Sequence, residues 1–325
     1  MNFKWYLIRR IIESAVIFFV IMSALFFLFR LAPGDPVTRM VDPGMTPEEA
    51  QLLKSQLGLD QPLGTQYLLF LGNFFRGRLG RSFHYGEPVA RIIARRLPNT
   101  ILLFTTAVIL SSLAGIKLGK IAAWSKGKPL DNAITICALV CHTLFLPWIA
   151  LLIIWMLGYR VGWFPITGMI SPELWISADV AWYTRALDVL HHMALPLLTL
   201  FLIHFGSYLL LMRSSMLDTL NEEFIFTARA KGLPEKVIRD RHAAPNAALP
   251  VVTSVALSLA FSINGGALTE TVFSWPGIGR ELVFAVSNND YPLAMACFLL
   301  IALVVLAANV IVDMLYLFID PRIRY

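Results

Sequence analysis

The chain has 325 residues, of which 57% fall in the apolar set AVILMFWYC and only 15% are charged, against roughly a quarter charged in soluble domains. A mean hydropathy of +0.68 excludes disorder and argues against a water-soluble enzyme, because an aqueous domain cannot display that much apolar surface. The net charge of +6 then bears on which loops face which side of a membrane, and nucleic-acid binding is the weaker reading of it.

Six runs are long and apolar enough to cross about 30 Å of hydrocarbon. The first, Ile11–Phe29, is flanked by Arg9, Arg10 and Arg30 and carries one charge, Glu13, one turn after Arg9. Its length and the lack of a small-residue cleavage site read as a retained anchor rather than a signal peptide. The others run over 100–124, 133–157, 188–212, 249–273 and 293–319. The expected fold is an all-α integral membrane protein of six transmembrane helices, with residues 1–31 as the N-terminal helix and 97–319 as a five-helix core. Residues 32–96 form a long loop, expected to be a small extracytoplasmic cap between the first two spans. Within it Thr46-Pro47-Glu48-Glu49 fits a capping box, Ala50, Leu53 and Leu57 share a helical face, and Gly58 stops the helix.

Basic residues cluster in alternate short connections. Lys4, Arg9 and Arg10 precede the first span, while Lys117, Lys120, Lys126 and Lys128 stand at the second-to-third connection. Arg213, Arg229, Lys231, Lys236, Arg239 and Arg241 fill the fourth-to-fifth connection, and Arg322 and Arg324 close the tail at 320–325. The opposite short loops hold only Arg160, Arg185 and Arg280. The positive-inside rule therefore puts both termini in the cytoplasm. The cytoplasmic connection 213–248 brings Leu220, Glu223, Phe224 and Thr227 to helical spacing, and the small Ala228, Ala230 and Gly232 would let it lie close to a partner.

Catalytic constellations are missing. There is no G-x-x-x-x-G-K-[ST] loop for a nucleotide, no G-x-S-x-G elbow and no H-E-x-x-H pair. Cys137, Cys141 and His142, with His191, His192 and His204, form the best metal-like set, but helix-buried cysteine is common packing material, so no metal site is expected. A polar pore lining is the other reading of the histidines. Lys117, Glu270 and Asp313 lie near span ends, where snorkelling or a local ion pair accounts for them. Asn264 precedes Gly265-Gly266 in the middle of the fifth span, and Pro147 and Pro196 lie inside the third and fourth. With His142 and His204 these are candidates for a translocation path through interrupted helices; tight-packing glycines and ordinary proline kinks are the competing account.

Several segments together resemble the permease subunits of ATP-binding-cassette importers of the dipeptide, oligopeptide and nickel class. The landmarks are Arg30-Leu31-Ala32-Pro33-Gly34-Asp35-Pro36, Leu57-Gly58-Leu59-Asp60-Gln61-Pro62-Leu63 and Leu79-Gly80-Arg81-Ser82-Phe83. Phe273-Ser274-Trp275-Pro276-Gly277-Ile278-Gly279, Asp290-Tyr291-Pro292 and the ending Asp320-Pro321-Arg322-Ile323-Arg324-Tyr325 complete them. The family's ATPase-docking loop matches Phe226-Thr227-Ala228-Arg229-Ala230-Lys231-Gly232 and continues to Pro250; the broader signature begins Glu-Ala-Ala where this chain has Phe226-Thr227-Ala228.

The resemblance covers nearly the whole chain. It implies the type I importer bundle in a cell membrane, with no cofactor in this chain. ATP and Mg would be bound by two cytoplasmic ATPase subunits, a second similar permease would complete the pathway, and an extracytoplasmic binding protein would deliver substrate. Docking would fall to Glu223, Phe224, Thr227, Ala228, Arg229, Ala230, Lys231 and Gly232. Peptides are the favoured substrate, with oligosaccharides or a nickel chelate as alternatives. A proton-coupled secondary transporter using Glu270, Asp313 or the histidines is the competing class, and a membrane enzyme a remoter one.

Overall fold

The computed structural model describes residues 3–31, 61–176, 180–262 and 266–319. The chain folds as helix because apolar segments in lipid must satisfy their backbone N–H and C=O groups internally. In chain order these are α1 Phe3–Leu31, α2 Leu63–Phe75, α3 Val89–Trp124, α4 Pro129–Thr143, α5 Leu146–Arg160, α6 Pro172–Ile176 and α7 Trp182–Thr219. There follow α8 Glu223–Ala230, α9 Glu235–Ala247, α10 Leu249–Phe261, α11 Ala267–Val272, α12 Ile278–Ser287 and α13 Tyr291–Ile319. The expected helix after Thr46 lies outside the described residues.

Among the described residues four helices, α1, α3, α7 and α13, are long and apolar enough to cross a membrane alone. The third and fifth expected spans are not single rods. The third is α4 and α5, bent by 102° between Thr143 and Leu146, and α10 follows α9 with a bend of 46°. Counting each bent pair as one span gives six. Pro147 is the reason the third differs from expectation: it sits in the first turn of α5, where its missing N–H costs nothing, so it starts a helix rather than kinking one. Pro196 instead stays inside the continuous α7 and is buried there. The fifth expected span stops at Phe261 and resumes at Ala267 as α11.

The chain divides into two compact units, 1–98 with 278–325, and 99–277. In the first, α1 packs on α13, with the Phe29 ring 5.7 Å from Tyr291 and 6.2 Å from Phe298. Val89, Ile92, Ala285, Leu293, Ala294 and Cys297 form its core. Beside them Arg96 Nε lies 2.9 Å from Glu281 Oε2. Asp290 is buried and accepts from the Ser82 hydroxyl and, at 3.2 and 3.3 Å, from the backbone N–H of His84 and Leu293. The motifs around Ser82 and Asp290 thus meet at the N-terminus of α13, where a carboxylate suits the helix dipole.

In the second unit α4 lies along α7. Lipid tails are as apolar as leucine, so association here rests on close packing and polar bonds rather than on leaving water. Gly206 supplies the close packing: a Cβ there would collide with the Ala138 carbonyl. Arg213 supplies the bond, its Nε and Nη2 2.6 and 2.8 Å from the two oxygens of buried Asp131.

Candidate coupling helix and translocation path

α7 ends at Thr219, with Leu220 as its C-cap, and α8 begins at Glu223 after an extended Glu222. Leu220 is therefore outside the short helix that the spacing of Glu223, Phe224 and Thr227 predicts. α8 turns Ile225 and Ala228 inward, against a core that includes Met212, Met216, Ile238, Ala243, Ala247 and Val251. It ends through Lys231 at Gly232, which has φ +74° and donates to the Arg229 carbonyl at 2.9 Å. This left-handed position is one that glycine adopts without steric cost.

That register divides the residues expected to dock. Ala228 is buried, so it anchors the loop; Glu223, Phe224, Thr227, Arg229, Ala230, Lys231 and Gly232 are exposed. Phe226 is exposed as well, and its ring was not singled out by spacing; an eight-residue helix with Ile225 and Ala228 inside leaves it outside. Arg229 Nε is 3.2 Å from Glu235 Oε1, tying α8 to α9. α9 is held in turn by Asp240, which Lys120 Nζ of α3 approaches at 2.9 Å and Arg239 at 2.8 Å. An exposed face carrying two aromatic rings among charges, fixed from behind by packing and ion pairs, has the make-up of a protein-binding surface.

The path candidates fall on several elements. His142 is exposed at the end of α4, with Nδ1 2.9 Å from the Ser207 hydroxyl of α7. His204 is half-buried on α7. Gly266 caps α11, and a Cβ on it would lie 2.8 Å from Phe104 Cζ. Asn264 and Gly265 lie outside the described residues.

One expectation for a polar residue changes. Glu270 does not snorkel: it is fully buried in α11, accepts the Thr100 hydroxyl at 2.7 Å and lies against Gly277, where a Cβ would collide with its carboxylate. Around it Trp275 Nε1 donates to the Asn99 carbonyl and Asn99 Nδ2 donates to the Pro276 carbonyl, each at 2.9 Å. The Trp-Pro-Gly motif is thus a packed clasp, and Ser274 takes φ 51° to form it. His192 is buried with Nδ1 2.9 Å from the Asp188 carbonyl, and the Asp188 carboxylate accepts from Ser171 N, Ser171 Oγ and Trp175 Nε1 at 2.8, 2.7 and 3.1 Å. His191 meets the Trp163 carbonyl at 2.8 Å. Lys117 is exposed, and the side chain of Asp313 lies outside those described.

Residues 107–325 match the family described as binding-protein-dependent transport system inner membrane component. The chain belongs to that family. Residues 3–104 match its N-terminal companion, described as binding-protein-dependent transport system membrane component, N-terminal. Among related inner membrane components, the oligopeptide transport system permease protein AppB of Bacillus subtilis (strain 168) is 35% identical over 321 residues, covering 98% of this chain and 99% of that one. A putative peptide permease protein of Brucella suis biovar 1 (strain 1330) is 36% identical over 324 residues, or 98% of each chain. The di/tripeptide transport system permease protein DppB of Pseudomonas aeruginosa (strain UCBPP-PA14) is 35% identical over 323 residues, or 95% of each. As an inner membrane component, this multi-pass permease is part of a transport system.

Proposed function

We propose that this permease is one of two membrane subunits of an ATP-driven, binding-protein-dependent importer of di- and oligopeptides. The observation that carries the reading is the end-to-end similarity to chains named as oligopeptide and di/tripeptide permeases. The exposed face of α8 supports the ATPase part of it. With both termini cytoplasmic, Glu223, Phe224, Phe226, Thr227, Arg229, Ala230, Lys231 and Gly232 would meet an ATPase, with Ile225 and Ala228 holding the helix to the bundle. ATP-driven closure of two such ATPases would move the coupling helices as rigid levers, exchanging inward-open and outward-open states of the permease pair. The substrate would pass beside His142, His204 and the Asn264-Gly265-Gly266 segment, with Pro147 and Pro196 setting where the neighbouring helices start and pack.

Native mass spectrometry of the complex, extracted gently from its own membrane, tests this. A second permease, two ATPases and a binding protein loaded with peptide are expected. A lone chain or a homodimer, in an extract where other complexes survive, would overturn the importer; the full complement with a glycan or metal chelate would overturn the substrate.

A further inference from the structure

The loop between the first two spans contains a helix whose composition does not suit an aqueous cap. α2, LGTQYLLFLGNFF, has no Asp, Glu, Lys, Arg or His. One side of it packs on α1. The Tyr67 ring lies 5.3 Å from Phe26 and 5.6 Å from Phe27, Phe70 stacks 5.3 Å from Phe26, and Phe74 is 5.7 Å from Phe18. The Tyr67 and Ser23 hydroxyls share a hydrogen bond. The other side is mostly apolar too: Leu63, Leu68, Leu69 and Phe75 are exposed, Leu68 by 69% and Phe75 by 74%, with Thr65 and Asn73 as the polar residues among them.

The order of these contacts fixes the direction of α2. As α2 runs forward its partners on α1 run backward, from Phe27 to Phe18, so the two helices are antiparallel. From Phe26 to Phe18 is about 12 Å of helix at about 1.5 Å per residue, and that stretch lies wholly inside the membrane span Leu7–Leu31. The exposed surface of α1 over the same stretch, Phe19, Val20 and Phe27, is apolar and faces acyl chains if the helix spans at all. The exposed leucines of α2 continue that surface at the same depth.

We propose that α2 is embedded in the leaflet at the C-terminal end of α1, with Leu68, Leu69 and Phe75 against phospholipid acyl chains. A helix without formal charge whose outer face is mostly leucine and phenylalanine is stable where water is scarce, and lipid is the solvent already in contact with its neighbour. Arg76 and Arg78, exposed immediately after α2, limit the depth, since their guanidiniums must reach phosphate headgroups by snorkelling. The Ser23–Tyr67 bond follows the same logic, because each hydroxyl finds in the other a partner that hydrocarbon cannot supply.

Photolabelling of the intact chain in nanodiscs tests this with three probes, read by peptide mapping. One phospholipid carries a diazirine deep in its acyl chain, a second carries it on the headgroup, and the third is a water-soluble diazirine. The acyl probe is expected to label the peptide holding Leu68 and Leu69 as it labels the α1 peptide holding Val16 and Val20. Labelling of the α2 peptide by the aqueous or headgroup probe alone would overturn the proposal, and so would protection from all three, which would mean a protein covers it. In the Leu68→Lys/Leu69→Lys variant the acyl label should be lost from α2 and kept on α1; retention on α2 would show that this face is not the one in lipid.

Discussion

Ser82 and Asp290, 208 residues apart in the chain, meet as a buried hydroxyl–carboxylate pair. The same carboxylate caps the first turn of α13 through Leu293 N and fixes the 82–88 turn through His84 N. One side chain thus closes a loop and starts a helix. Asp290→Ala is expected to lower stability by about 2–4 kcal/mol, since hydrogen bonds to a charged group are strong and buried donors left unpaired are costly. Thermal unfolding in detergent should show the full drop for Asp290→Ala and a smaller one for Ser82→Ala; equal midpoints for wild type and Asp290→Ala would refute the role.

Gly277 and Glu270 are in closer contact than any side chain at 277 allows. Gly277→Ala should destabilise by about 1–3 kcal/mol through overpacking. Adding Glu270→Ala removes the obstructing carboxylate, so the double variant should be more stable than the two single losses added together predict. A strictly additive cycle in thermal unfolding would mean that the contact is relieved by backbone movement instead.

Ala228 and Ala230 separate folding from docking. Ala228→Arg forces a charge into the core around Met216 and should cost folded protein, whereas Ala230→Arg, on the exposed face, should leave the thermal midpoint unchanged. In the assembled complex Ala230→Arg is expected to reduce substrate-stimulated ATP hydrolysis. Unchanged stimulation would place the docking contact elsewhere.

Arg213 makes two bonds to Asp131 at once. Lysine cannot reproduce that fork, so Arg213→Lys should lose at least part of what Arg213→Ala loses, about 1–3 kcal/mol for a bond to a charged, buried partner. Asp131→Asn, in the first turn of α4, should behave similarly. Tolerance of both by thermal unfolding would leave the α4–α7 contact to Gly206 alone.

The apolar runs were legible because about 20 such residues in a row have one dominant physical solution. What happens inside a run was less so. Pro147 can kink a helix or begin one, and the choice was made by the turn at Thr143–Leu146 that sequence spacing does not reveal. Glu270 read as a span-end charge because its partner Thr100 is 170 residues away. The short helix at Glu223–Ala230 is legible in its spacing, but the alternating small residues Ala228, Ala230 and Gly232 do not say which one the core will take. The contact of His191 with the Trp163 carbonyl has no sequence signature, whereas His192 stands four residues after Asp188, a helical spacing that the sequence does show.

The helix α3 is held at two points along its length, by the Asn99 bonds to Trp275 and Pro276 and by Lys120 on Asp240. Inserting one residue between them would turn one point by about 100° and shift it by about 1.5 Å relative to the other, so both could not be kept. The length of this span is therefore gauged by protein, not by the bilayer. In a membrane thicker or thinner than that interval, the adjustment has to come from the lipid around α3.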